Sequence, residues 1–387
     1  MTRQQLYLGL TLVVTICGLF YVAIPRSEIP QPVRKAPSSS GRPVFEQRLV
    51  AVGDLHGDFE NAKTVLHMAG IIDSSANPTW SAGSTILVQT GDIVDRGTYA
   101  WDIYRLMQSL RSEAAGAGGK VVSILGNHEV MNAIGDWRYV TPDEIKYNGG
   151  TEQRMRDMSA DGWLGKEWLA NYSSTALVAL SPYPSAPLLS FTHGSLRPSY
   201  SNLLPYPDKI NDLGRSLLSK ALHAQVPPHP PNPYAGLPRD ATSEEADLYA
   251  GGGPFWWRGL AEMGNEATVC KWAEVLKRKM GVRRIIGGHT PNFEKIVDRC
   301  NASIIIIDTG ISRAYGGVLS ALEIVYTLHS VHHPKHGGHR QDPFVAPTVM
   351  TSDEPIPGQR YVEREEVHAI YPNGRKLIAV EEQEITL

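Results

Sequence analysis

Five short clusters place aspartate, histidine, asparagine and arginine beside glycine. They are Gly53-Asp54-Leu55-His56-Gly57-Asp58, Gly91-Asp92-Ile93-Val94-Asp95-Arg96-Gly97, Gly126-Asn127-His128-Glu129, Thr192-His193-Gly194 and Gly288-His289-Thr290. Carboxylate and imidazole are hard-to-borderline ligands that suit divalent first-row metals. No cysteine stands among them, which disfavours a structural zinc site. The clusters offer six candidate ligands, more than one tetrahedral ion needs. Two ions sharing a carboxylate would use them all. Such pairs, roughly 3.5–4 Å apart, clamp the attacking and leaving oxygens of a phosphoryl displacement. A water bridging them loses a proton near neutral pH and becomes the nucleophile. Arg96 is not a ligand type; its guanidinium can grip phosphate oxygens in bidentate fashion. His128 could protonate the leaving oxygen, with Asp95 orienting it.

The clusters need elements that bring them together. Apolar runs at 49–52, 85–88, 121–125, 188–191, 284–286 and 303–307 are rich in Val and Ile and lack alternation, which predicts strands buried on both faces. Helical patterns span 59–69, 99–115 and 268–280. Asp58 is placed to cap the first, and Gly116 and Gly281 stop the other two. One helix separates each of the first three strands, the βαβ rhythm. The carboxyl ends of parallel strands converge on one edge, where α/β proteins place ligands. Segments 130–180 and 224–254 interrupt the rhythm as lids, substrate walls or plain surface excursions.

The chain has 387 residues, 42% hydrophobic and 20% charged, an ordinary globular balance. Lys plus Arg is 37 against 40 for Asp plus Glu, so a net charge of -3 gives no support to nucleic-acid binding. Residues 6–24 carry no charge and are long enough for one membrane-crossing helix, read as a single-pass anchor over 1–24 rather than a cleaved signal. Residues 25–43 are a Pro/Ser-rich linker. The folded domain spans 44–326 and is expected on the lumenal side of the secretory pathway. There Cys270 and Cys300 could pair; buried free thiols are the other reading. Residues 327–358 carry five histidines (His329, His332, His333, His336 and His339) and read as a solvated linker. Residues 359–387 read as a β-hairpin turning at Asn373-Gly374.

Taken together, GDLHGD, GDIVDRG, GNHE, THG and GHT resemble the signature blocks of the calcineurin-like metallophosphoesterases. The DRG and GNHE forms are similar to the protein-phosphatase branch, and nearest to the Shewanella-like phosphatases and their fungal relatives. The resemblance implies a mixed α/β fold, a central β-sandwich flanked by helices with a dimetal site at the strand ends, in place of a wholly parallel sheet. It also implies that Asp54 and His56 hold a first metal, that Asp92 bridges, and that Asn127, His193 and His289 hold a second. The ions would be Mn, Fe or Zn. Arg96 would grip phosphate, His128 and Asp95 would form the acid pair, and Arg258 would be a second phosphate-binding arginine. The SAPNYC block of eukaryotic protein phosphatases is missing; Ile307-Asp308-Thr309-Gly310 stands there instead. The expected activity is a metal-dependent phosphomonoesterase on phosphorylated protein (pSer/pThr or pTyr). A polyphosphate or nucleotide phosphohydrolase, a small-phosphoester enzyme and a silent phosphate-binding module are the alternatives.

Overall fold

The apolar runs lack alternation because each strand packs on both faces. In the first strand Leu49 and Ala51 enter one buried cluster, while Val50 and Val52 enter another. In the computed structural model, which describes residues 43–331 and 355–387, the strands in chain order are β1 (Phe45–Val52), β2 (Ile86–Gln89), β3 (Lys120–Ile124), β4 (Tyr172–Ser173), β5 (Thr175–Ala179) and β6 (Leu188–Thr192). There follow β7 (Arg284–Gly287), β8 (Val297–Arg299), β9 (Ile304–Ile306), β10 (Ala321–Ser330), β11 (Arg360–Tyr371) and β12 (Gly374–Thr386). One sheet has the order β12-β11-β10-β1-β2-β3-β4 and the other β5-β6-β7-β9-β8. Leu49, Val88, Phe191, Ile286, Ile305 and Tyr326 from both sheets fill the layer between them. Residues of opposite parity, such as Val50, Leu87, Ile285 and Ile304, join the cluster formed with the helices.

The architecture is mixed α/β. β1, β2, β3 and β4 are parallel neighbours, as are β6, β7 and β9. β10 pairs antiparallel with β1, and β5 with β6. The hairpin of β11 and β12 pairs with β10, so it forms the outer two strands of the larger sheet. β10 runs on to Ser330, which places His329 on a strand and not in a linker. His332, His333, His336 and His339, the anchor at 1–24 and nearly all of the 25–43 linker lie outside the described residues. Among the described residues no helix is long and apolar enough to cross a membrane.

The helices are α1 (Phe59–Met68), α2 (Ala100–Gly116), α3 (Asn127–Ala133), α4 (Pro142–Tyr147), α5 (Thr151–Met158) and α6 (Trp163–Asn171). After them come α7 (Asp208–His223), α8 (Ser243–Tyr249), α9 (Gly259–Glu262) and α10 (Glu266–Met280). Asp58 caps α1, its Oδ1 accepting from Asn61 N at 3.2 Å. Gly281 ends α10 in the left-handed region, at φ 68. The 130–180 segment is more than a surface excursion. Met158, Leu164 and Trp168 from α5 and α6 are buried in the helix-side core.

Cys270 on α10 is bonded to Cys300 just after β8, closing a loop with a sequence separation of 30. The free-thiol reading is thereby replaced. Cross-linking a loop of this size restricts the unfolded chain, worth about 3–4 kcal/mol by chain entropy. Cys270→Ser with Cys300→Ser is expected to lower stability by that amount in urea denaturation under oxidising conditions. An unchanged midpoint would mean that the bond does not form.

Candidate active site

The loops leaving β1, β2, β3, β6 and β7 meet at one edge of the sheets. Their approach depends on glycine. A Cβ on Gly126 would lie 2.0 Å from Asp92 Oδ1, so only glycine lets the start of α3 sit on the β2 loop. His56, Asp92, Asp95, Arg96 and His289 all have positive φ, between 39 and 72. Such backbone is uncommon outside glycine, costs about 1–3 kcal/mol per residue and persists only where its surroundings enforce it. Glu129 helps to enforce it. Its Oε2 accepts from the backbone N–H groups of Asp92 (2.8 Å) and Gly126 (2.7 Å). Its Oε1 accepts from Ile93 N–H and Tyr104 O–H, both at 2.8 Å.

Three imidazoles are fixed by backbone carbonyls. His56 Nδ1 bonds Val94 O (2.9 Å), His193 Nδ1 bonds Thr90 O (2.8 Å) and His289 Nε2 bonds Trp256 O (3.2 Å). Each carbonyl can only accept, so each ring turns its other nitrogen away as a potential ligand, as metal-binding histidines do. Asp92 Oδ2 lies 3.2 Å from His193 Nε2, 3.7 Å from His56 Nε2 and 3.8 Å from His128 Nε2. Asn127 Oδ1 lies 2.8 Å from His193 Nε2. Asp54 receives the His289 N–H on both carboxylate oxygens, at 3.2 and 3.3 Å. Two sets of donor atoms gather within 4.8 Å of one another: His56, Asp92 and His128, and Asp92, His193 and His289. Asp92 is common to both.

The electrostatics fit cations. Burial, Asp308 and Asp92 push the Asp54 carboxyl well above its usual value. Burial likewise raises Asp308 to about 6. Burial opposes ionisation of Asp92 too, but His193, His128 and His56 outweigh it and hold that carboxyl well below the usual range. With Nδ1 donating to Thr90, a neutral His193 would aim its Nε2 lone pair at the oxygens of Asp92 and Asn127. A positive charge placed there relieves that repulsion together with the crowding of carboxylates. The donor set therefore fits divalent ions.

His128 differs from the other rings. Its Nδ1 lies 2.5 Å from Asp95 Oδ2, and Asp95 is fully buried. Burial lowers its basicity, but the Asp92 charge and the Asp95 hydrogen bond win and raise it to about 9. Burial lowers His56 to about 4, whereas at His193 burial is again outweighed by the Asp92 charge and the ring is raised. What separates His128 is its partner, a carboxylate where the other three rings meet backbone carbonyls. Arg96 lies between two aromatic rings, 4.5 Å from the centroid of Tyr139 and 4.8 Å from that of Tyr315. Its buried Nε has no hydrogen-bond partner among the described residues. The Arg258 guanidinium bonds the carbonyl of His289, bordering the same cleft.

All ten residues singled out in the sequence thus lie along this strand-end edge. Four further residues were not anticipated. Glu129 stands inside the GNHE tetrad, and Asp308 follows the last apolar run in the manner of Asp54. Both signals were present. Tyr139 and Tyr315 come from loops and carry no local signal.

Known proteins match this arrangement. Residues 47–293 match the family model described as calcineurin-like phosphoesterase. An uncharacterized protein of Schizosaccharomyces pombe is 38% identical over 277 residues, covering 71% of this chain and 76% of its own. Shewanella-like protein phosphatase 2 of Arabidopsis thaliana is 30% identical over 325 residues, covering 72% of this chain and 75% of its own. A solved cold-active protein tyrosine phosphatase is 25% identical with a TM-score of 0.56, covering 71% of this chain and 73% of its own. The chain belongs to the calcineurin-like phosphoesterases, on the branch of the Shewanella-like protein phosphatases, and is a hydrolase of phosphoric esters.

Proposed function

We propose that the protein removes phosphate from phosphorylated proteins, with a preference for phosphotyrosine, at a site holding two divalent ions. The observation that carries the reading is the Asp92 carboxylate set among three imidazole nitrogens beside the His128–Asp95 pair. Asp54 and His56 would hold one ion, Asn127, His193 and His289 the other, with Asp92 shared. Mn, Fe and Zn all suit these donors. When bound, such ions polarise the phosphoryl group and acidify the attacking water.

The chain's own groups supply the rest. Arg96, without a carboxylate partner among the described residues, offers its guanidinium to the phosphate oxygens. Tyr139 and Tyr315 hold that guanidinium flat. His128 Nε2–H delivers a proton to the leaving oxygen as the P–O bond breaks, and Asp95 stabilises the imidazolium. Arg258 fixes the backbone of His289. A protein substrate is supported by the Shewanella-like protein phosphatases among the relatives. Phosphotyrosine is supported by the tyrosine phosphatase similarity and by Tyr139 and Phe293, which are 38% and 49% exposed near the cleft. Aromatic rings offer faces and edges against which a phenyl ester can pack.

Phosphopeptide profiling with the manganese-loaded protein tests this. Faster release from pTyr than from matched pSer and pThr peptides is expected. A protein active only on polyphosphate or nucleotides would contradict it. Arg96→Ala removes a charge-assisted contact worth about 1.5–3 kcal/mol. It should lower kcat/KM by about 10–150-fold, while metal content stays the same.

Membrane attachment through residues 6–24 belongs to the same proposal. It is supported by 19 consecutive uncharged residues; the Cys270–Cys300 bond supports only the placement of the folded domain in an oxidising compartment. Release of the intact chain by alkaline carbonate would contradict it.

A further inference from the structure

Behind the His128–Asp95 pair runs a chain of buried polar groups that leads away from the cleft. Asp95 Oδ1, the oxygen not used by His128, accepts from Asn132 Nδ2 at 2.9 Å. The same Nδ2 donates to the carbonyl of His128, also at 2.9 Å. Asn132 Oδ1 accepts from Arg154 Nη2 at 2.8 Å. Arg154 Nη2 also donates to Glu144 Oε1 at 2.8 Å, and its Nε to the same oxygen at 3.3 Å. Arg154 and Glu144 are both fully buried. The guanidinium stacks between Trp137, 4.3 Å from its centroid, and Trp101 at 5.0 Å.

Every orientation in this chain is determined by donor and acceptor type. The Asn132 amide meets only acceptors on its nitrogen side and only a donor on its oxygen side, so it cannot flip without losing three bonds. An arginine is always charged and can only donate. It fixes the amide, the amide fixes Asp95, and Asp95 fixes which nitrogen of His128 faces the cleft. A buried ion pair is weak evidence for stability, because desolvation offsets its attraction. Arg154 and Glu144 lie on α5 and α4, in the segment inserted between β3 and β4. Burial pushes Glu144 up to about 7 against the pull of Arg154, so the stability contribution of the pair is a poor explanation for carrying it into the core.

We propose that Asn132 and Arg154, with Glu144 holding Arg154, are positioning residues for proton delivery to the leaving oxygen. This inference rests on the phosphatase reading and on the acid role given to His128. No atom of the three touches substrate; they act through Asp95. Their loss should let the Asp95 carboxylate and the His128 ring rotate, weakening proton transfer without disturbing phosphate or metal binding.

Leaving-group dependence separates this role from simple packing. Nitrophenolate leaves without help from an acid, whereas phenolate and alkoxide do not. Manganese-loaded wild-type protein and the Asn132→Ala, Glu144→Gln and His128→Asn variants are assayed on 4-nitrophenyl phosphate, phenyl phosphate and a phosphoserine peptide. Wild-type turnover together with a loss in His128→Asn that is selective for the poor leaving groups establishes the underlying reading. Asn132→Ala is then expected to lose about 10–100-fold in kcat on phenyl phosphate and phosphoserine, less than threefold on 4-nitrophenyl phosphate, with KM and metal content unchanged. Glu144→Gln, which keeps the volume and one acceptor, should show the same pattern with a smaller loss. Equal losses on all substrates, or none, would overturn the positioning role while leaving the phosphatase reading standing. A His128→Asn variant without selectivity would overturn the acid role of His128 and the positioning role with it, whereas absence of wild-type turnover on all three esters would overturn the phosphatase reading.

Discussion

Asp92→Asn is expected to remove at least one of two bound ions and to lower turnover by about 10²–10³. Asp92 is the one residue shared by both donor sets, and its Oδ2 lies within 3.8 Å of three imidazole nitrogens. Asparagine keeps the shape but loses the negative charge, and its NH₂ cannot ligate. Several kcal/mol of charge stabilisation depend on metals in phosphoryl transfer, and each 1.36 kcal/mol is tenfold in rate. Part of the loss is structural. Asp92 Oδ1 also accepts the His128 N–H at 2.9 Å and helps to seat the start of α3. Metal per chain by mass spectrometry and kcat on phenyl phosphate read the outcome. Retention of both ions with near-normal turnover would place the bridge on another residue.

His128→Asn has a different signature. It should lower kcat on phenyl phosphate by about 10²–10⁴, the range of general acid catalysis, with two ions still bound. The His128 ring is held by the Asp95 carboxylate at 2.5 Å, where the other three rings are held by backbone carbonyls, so it stands as a donor among rings arranged as ligands. Its Nε2 nevertheless belongs to a donor set with His56 and Asp92. The metal measurement therefore decides between the two roles. Loss of an ion together with activity would make His128 a ligand and transfer proton donation elsewhere.

The candidate site was readable where strand ends carry it. Asp54, His56, Asp92, Asn127, His193 and His289 each follow an apolar run within a few residues. The lack of alternation in those runs correctly marks strands packed on both faces, as Leu49 and Val50 show by entering separate clusters. The antiparallel place of β10 beside β1 had no local signal, since 275 residues separate Arg48 from its partner Glu323. The turn at Asn373-Gly374 was legible, but the docking of that hairpin onto β10 was not. Asn132 and Arg154 look like ordinary helical residues in the sequence. Their relation to Asp95 exists only after α3, α4 and α5 have packed. Tyr139 and Tyr315 likewise meet Arg96 from loops 176 residues apart (315 minus 139).

Diffraction from crystals grown with manganese, with data collected to bring out the anomalous signal of that metal, is the most direct measurement. Two peaks roughly 3.5–4 Å apart should flank the Asp92 carboxylate, one beside Asp54 and His56 and the other beside Asn127, His193 and His289. A single peak, or ions seated away from Asp92, would contradict a shared two-ion centre.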